Sequence, residues 1–273
     1  MLTTTATAAP TTGPQATNGA QGAAKPTVVL VHGGFADASA SWNDVIKRLQ
    51  RDGYPVVAPA NPLRGLSSDA PYLAGLLKSI KGPVILAGHS YGGAVITNAA
   101  AGNPNVKAPV YVAAFVPDEG EQLIGLLGKY PGSEIPDAIN EVPFTGPDGT
   151  TGTDIYLKAD KFRSAFAADL PRSVTDVMHA AQRPAAATHL TDPTRAAAWR
   201  DIPSWGPVAA ADKAIPPALQ RWEYDRANMR GQIEVRGLHT PSWSATPARW
   251  RSSSRRPTVP RAEPERPPRG QAR

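Results

Sequence analysis

Val84-Ile85-Leu86-Ala87-Gly88-His89-Ser90-Tyr91-Gly92-Gly93 is the stretch that decides the fold. Its first four residues are apolar without interruption, as in a strand buried on both faces. Gly88 to Gly92 then match G-x-S-x-G, and a helix is expected from Tyr91 to Ala101. The spacing has a physical reason. A serine between a strand and a helix sits on a sharp, strained turn, and flanking glycines let the backbone pass without side-chain clashes. Its hydroxyl then projects above the sheet, and the N–H of the next residue points to where an oxyanion develops. Alone, the pattern is weak, because a tight turn with a bystander serine fits it too. In a strand-turn-helix context it marks Ser90 as a candidate nucleophile and the Tyr91 N–H as a candidate oxyanion donor.

The same alternation runs outward from this turn. Upstream, Thr27 to Val31 is a short apolar run ending in His32-Gly33-Gly34. Ser41 to Asp52 has helical apolar spacing, Tyr54 to Ala60 reads as a strand and Ser68 to Ile80 as a helix. Downstream, Val110 to Phe115 is a strand. After a different stretch the pattern returns, with a strand at Trp205 to Ala211, a helix at Ala218 to Met229 and a strand at Gln232 to Arg236. Strand and helix in repeated alternation predict an α/β fold, a mostly parallel sheet with helices on both faces. Between about 118 and 202 the sequence turns loop-rich, with short helices at Lys161 to Asp169 and Ser173 to Gln182. That segment reads as a small lid inserted in a domain spanning 25–240. Residues 1–24 read as a disordered leader, and 241–273 as an Arg/Pro-rich disordered tail.

The net charge of +6 does not point to nucleic acid. Arg249 to Arg273 holds eight arginines and two glutamates, which is +6, so the rest of the chain sums to zero. A nucleic-acid surface needs its basic residues in the folded part. No apolar run approaches the ~18 residues that a membrane span requires. The first residues lack the basic start and apolar stretch of a signal peptide, so a cytoplasmic protein is expected, or a secreted one if a signal lies upstream of Met1. There are no cysteines, hence no disulfide, thiolate metal site or cysteine nucleophile. No metal-spaced ligands or phosphate-binding glycine loop stand out, so no cofactor is expected.

A serine nucleophile needs a base and an orienting acid, in the chain order Ser, Asp or Glu, His. Asp212 follows the strand at Trp205 to Ala211, while Asp118 follows the one at Val110 to Phe115. The late position favours Asp212. Of the five histidines, His32 and His89 belong to the two turns already described, and His179 and His189 lie in the lid. His239 alone follows Asp212, which makes it the candidate base. Gly34, after the first strand, offers a second oxyanion donor, with Phe35 as the alternative. Each such donor is worth about 3 kcal/mol in a transition state.

Val31-His32-Gly33-Gly34, Gly88-His89-Ser90-Tyr91-Gly92-Gly93, Val112-Ala113-Ala114-Phe115-Val116-Pro117 and Ala211-Asp212-Lys213-Ala214-Ile215-Pro216-Pro217 with Gln220-Arg221-Trp222 resemble a branch of the α/β-hydrolase superfamily. This branch holds the small esterases related to plant methylesterases and hydroxynitrile lyases, with their bacterial relatives. The resemblance runs from about Pro26 to Gly237. It implies an α/β-hydrolase fold, Asp212 as the catalytic acid, a small-molecule ester substrate and no cofactor. In the lyases a lysine follows the catalytic histidine. Thr240 follows His239 here, which argues against lyase chemistry.

After Gly237 the chain leaves the pattern, which continues with a histidine, an apolar stretch, a Ser-His-Pro-like element and a final helix. One hypothesis for this is a frameshift near Gly237. We join the third base of each codon to the first two of the next, taking serines as TCN and arginines as CGN. Trp243 to Ser244 then gives Val, Trp250 to Arg251 gives Ala, and the junctions from Pro241 to Trp243 must give apolar residues. A histidine then falls at position 240. DNA read across codons 230 to 260 tests this. Loss of a working base costs on the order of 10⁶ in turnover. The expected function is therefore a serine esterase for small carboxylic esters. The alternative is a non-catalytic or inactivated member of the fold that binds a small ligand.

Overall fold

The computed structural model describes residues 24–236. Six strands form one sheet: β1 (Thr27–Val31), β2 (Val56–Val57), β3 (Val84–Ser90), β4 (Val106–Ala114), β8 (Trp205–Ala209) and β9 (Gly231–Val235). Their order is β2-β1-β3-β4-β8-β9, and every pairing is parallel. Val29, Leu30, Val31, Val84 and Leu86 are all at most 1% exposed, as apolar runs buried on both faces require.

One face carries α1 (Ala38–Arg51), which packs Trp42, Val45, Ile46 and Leu49 against Val28, Leu30 and Ala87. Asp37 caps this helix, its carboxylate accepting from the Ala40 N–H at 2.7 Å. On the other face, α2 (Leu66–Ser79), α3 (Tyr91–Ala99) and α9 (Pro217–Arg226) bury Leu73, Leu77, Val95, Ile96 and Leu219. Helices thus cover both faces, as the alternation predicts. The second strand is shorter than the seven residues expected from Tyr54 to Ala60. It is an edge strand that pairs only through Val28↔Val56 and Val29↔Val57.

The insertion between β4 and β8 holds α4 (Leu123–Leu127), α5 (Ile135–Ala138), α6 (Ala159–Phe166), α7 (Arg172–Ala180) and α8 (Thr188–Thr191). Helices α6 and α7 overlap the two stretches expected to be helical, each beginning one or two residues earlier and ending two or three earlier. The loop-rich reading of 131–157 is corrected. β5 (Ile139–Thr145) and β6 (Thr151–Leu157) form an antiparallel hairpin, joined on one side by β7 (Ala185–Ala186). The Gly146 to Thr150 segment, taken as loop, is the hairpin turn, closed by Gly146 N–H to Thr150 O at 2.7 Å. The insertion shares the core of the sheet, with Ile155, Leu157, Phe162 and Phe166 buried in it. Arg64, just ahead of α2, ties it down through Asp154 Oδ1 at 2.7 Å and Pro184 O at 3.1 Å.

Candidate active site

Ser90 ends β3 and precedes the first turn of α3, with φ 54° and ψ −123°. Few L residues adopt that conformation, and the surrounding backbone leaves no alternative. A Cβ on Gly88 would lie 2.5 Å from Gly92 O, and one on Gly92 would lie 2.5 Å from Val31 O. A Cβ on Gly33 would lie 2.7 Å from Ser90 Cβ, and one on Gly93 would collide with Phe115 O. β1, the end of β4 and the start of α3 therefore converge on the serine at backbone contact distance. The Tyr91 N–H opens α3, where the helix dipole is positive and intrahelical acceptors are lacking.

Ser90 lines a narrow cavity with Gly34, Phe35 and Tyr91. Its other walls come from the insertion (Leu127, Phe166, His189 and Leu190 among them) and from Ala214 and Ile215 beyond β8. The cavity volume is about 30 Å³, enough for one or two water molecules. A larger open groove of about 460 Å³ lies by α2 and the end of α3, lined by Leu66, Ala70, Lys78 and Arg195. It has no histidine, and its one serine, Ser67, donates its hydroxyl to Asp192 Oδ2 at 2.7 Å, so the small cavity at Ser90 is the candidate site despite its size.

Asp212 is 3% exposed. Its Oδ1 accepts from the N–H groups of Ala214 at 2.8 Å and Ile215 at 3.1 Å, and its Oδ2 accepts from Gln220 Nε2 at 2.9 Å. The loop that Asp212 braces is the one that brings Ala214 and Ile215 to the cavity. Gln220 is fully buried and spans three segments, since it also donates to Ile215 O and accepts from the Ala209 N–H. Tyr91 is fixed from below: its hydroxyl donates to Asp69 Oδ2 at 2.8 Å, and Asp69 Oδ1 accepts from the Arg64 N–H. Burial pushes the Asp69 carboxyl above its usual range.

A sequence model described as "Alpha/beta hydrolase family" matches residues 28–262. The chain belongs to the alpha/beta hydrolase family. Among similar proteins is the "Carbendazim hydrolyzing esterase" of Nocardioides sp. (strain SG-4G), 35% identical over 114 residues, 37% of this chain. That match spans only 47% of the esterase's length. The "Alpha/beta hydrolase nvfD" of Aspergillus novofumigatus (strain IBT 16806) is 25% identical over 215 residues, covering 72% of this chain and 82% of that protein. Among solved structures, polyneuridine aldehyde esterase superposes with a TM-score of 0.69 at 19% identity, over 82% of this chain and 95% of that one. The methylesterase MES16 from Arabidopsis does so with 0.67 at 17% identity, over 82% and 94%. At that identity the likeness is one of fold, and it is the fold expected from the plant esterase branch.

The histidines of this alpha/beta hydrolase separate by environment. His32 Nε2 accepts from the Asn61 N–H at 2.9 Å and Nδ1 donates to Gly33 O. Burial lowers its pKa to about 4, so it stays neutral near pH 7. His89 is buried with its ring edge-on to Trp42, on the α1 face of the sheet. His179 lies edge-on to Phe162 within the insertion. His189 was expected only as a lid residue, yet it lies in the cavity, edge-on to Tyr91 with ring centroids 5.1 Å apart. Nothing near position 189 in the sequence signals this, because insertion and β3 meet only in three dimensions. Asp118, the alternative acid, holds Arg200 at 2.7 Å, which draws its carboxyl below the usual range. His239 and the stretch assigned to a frameshift lie outside the described residues. Among the described residues no group of three His, Asp or Glu side chains could hold a metal ion, and no helix is long and apolar enough to cross a membrane.

Proposed function

We propose that this alpha/beta hydrolase is a serine esterase that cleaves small carboxylic esters through an acyl-enzyme. The observation that carries this reading is the strained turn at Ser90, whose side chain faces a cavity shared with Gly34 and Tyr91. A left-handed serine costs roughly 1 to 3 kcal/mol of backbone strain, which a merely structural turn does not need. Ser90 Oγ attacks the ester carbonyl. The amides of Gly34 and Tyr91 hold the oxyanion, each stabilising it by about 3 kcal/mol. Asp212 orients the imidazole of His239, which takes the proton from Ser90 and returns it to the leaving alcohol. Water then clears the acyl group. The names of the similar proteins support an ester as substrate, and the apolar walls of the cavity favour a small one.

The cavity of about 30 Å³ is too small for an ester, so productive binding includes displacement of the insertion wall. Intact mass after exposure to a fluorophosphonate, beside a Ser90→Ala control, tests the reading. One adduct on the parent and none on the control is the expected result. A folded parent that takes no adduct would instead make the protein a ligand-binding member of the family without turnover.

A further inference from the structure

Three residues with polar side chains line the cavity: Ser90, Tyr91 and His189. Tyr91 spends its hydroxyl on Asp69 Oδ2, outside the cavity. His189 is 3% exposed, and its Nδ1 lies 2.8 Å from Ala186 O. A carbonyl oxygen only accepts, so Nδ1 carries the proton and Nε2 presents a lone pair. Burial lowers the pKa of this imidazole to about 4, which keeps it neutral near pH 7. Nε2 lies 3.7 Å from where a Cβ on Gly34 would be, so the missing side chain of Gly34 leaves it open. It has no hydrogen-bond partner among the described residues. The ring is wedged edge-on between Phe35, at 6.0 Å between centroids, and Tyr91.

We propose that His189 Nε2 is a specificity-determining acceptor that selects esters with a hydroxyl or N–H donor on the acyl side, next to the carbonyl. The inference rests on the esterase reading of the cavity. Its logic is that of an acceptor open to the cavity. Water admitted to the cavity meets it in the free protein, and a ligand that fills the cavity without bringing a donor leaves it unpaired at a cost. The ester group has only acceptor oxygens, so the donor must come from another part of the substrate. Nε2 lies by Gly34, one proposed oxyanion donor, and the ring it belongs to lies edge-on to Tyr91, the residue of the other, which places the donor beside the carbonyl. A site with one buried acceptor also discriminates against an isostere without the donor, since that isostere leaves the acceptor unpaired.

Methyl lactate and methyl isobutanoate form the test pair, because they differ by a hydroxyl in place of a methyl. Dissociation constants are measured by calorimetry on Ser90→Ala, which needs no turnover, and kcat/KM on the parent. Both are repeated with His189→Phe, which removes the acceptor, and with His189→Gln, which returns an acceptor oxygen. Thermal melts establish that each variant is folded. The expected result is about a tenfold preference for the lactate ester in binding to Ser90→Ala. His189→Phe abolishes it and His189→Gln keeps it. Equal affinity for the two esters, absence of measurable binding by either, or a preference that survives His189→Phe overturns the proposal. A parent that hydrolyses neither ester while Ser90→Ala keeps the binding preference overturns the esterase reading alone.

Discussion

At the scale of single residues, Ser90 is one of five non-glycine residues with positive φ among the described residues. Its φ of 54° with ψ of −123° is a conformation that glycine adopts freely and serine does not. Ser90→Gly is therefore expected to stabilise the fold by about 1 kcal/mol while abolishing fluorophosphonate labelling. Urea unfolding read beside the labelling assay checks both halves. Gain of activity-free stability on removing a hydroxyl is what a functional serine predicts, whereas a structural serine would lose stability. The position of Ser90 was legible from ten residues of sequence because every requirement on it is local. The position of His189 was not. Its place opposite Tyr91 depends on how the insertion folds back, and no local pattern encodes that.

Among the elements, α9 does more than cover the sheet. Through Gln220 it joins the end of β8, the carboxylate of Asp212 and the Ile215 carbonyl. Gln220→Leu keeps the volume and removes the hydrogen bonds to Asp212, the Ile215 carbonyl and the Ala209 N–H, at an expected cost of about 3 kcal/mol. That is a fall of roughly 6 to 12 °C in Tm, visible by calorimetry. The central strands β1 and β3 were readable because burial on both faces leaves continuous apolar runs. The hairpin of β5 and β6 was not, because most of β5 is exposed and its residues Ile139 to Thr145 mix charge, amide and proline. Its one legible signal was Asp148-Gly149 in the turn, a pair that often closes hairpins. The short β2 was overestimated for the opposite reason: apolar residues continue past Val57, but the edge offers them only one neighbour.

For the whole molecule, two buried neutral imidazoles link stability to pH. His32 and His189 each have a folded-state pKa of about 4, against about 6.5 when exposed. Between those values the unfolded chain binds protons that the folded chain excludes, so the histidine contribution is intact above pH 6.5 and is lost as pH drops toward 4. Burial raises the Glu223 carboxyl to about 8, which acts in the opposite sense and offsets part of that loss. Each residue contributes about 3 kcal/mol of that loss. Urea midpoints at pH 7 and pH 4.5 are expected to differ markedly. His32→Gln, which keeps an acceptor for the Asn61 N–H, is expected to remove one of the two histidine contributions and so to narrow the difference.

The glycines around Ser90 are excluded from change by backbone atoms: Gly92 by Val31 O, Gly88 by Gly92 O and Gly93 by Phe115 O. Their requirement is mechanical and exists whether or not the serine reacts. In a library screened only for soluble expression, these three positions would stay fixed while Ser90 drifted. A descendant that lost its chemistry would thus keep the glycines of the motif as a fossil of its architecture. The serine between them would be the first letter to be erased.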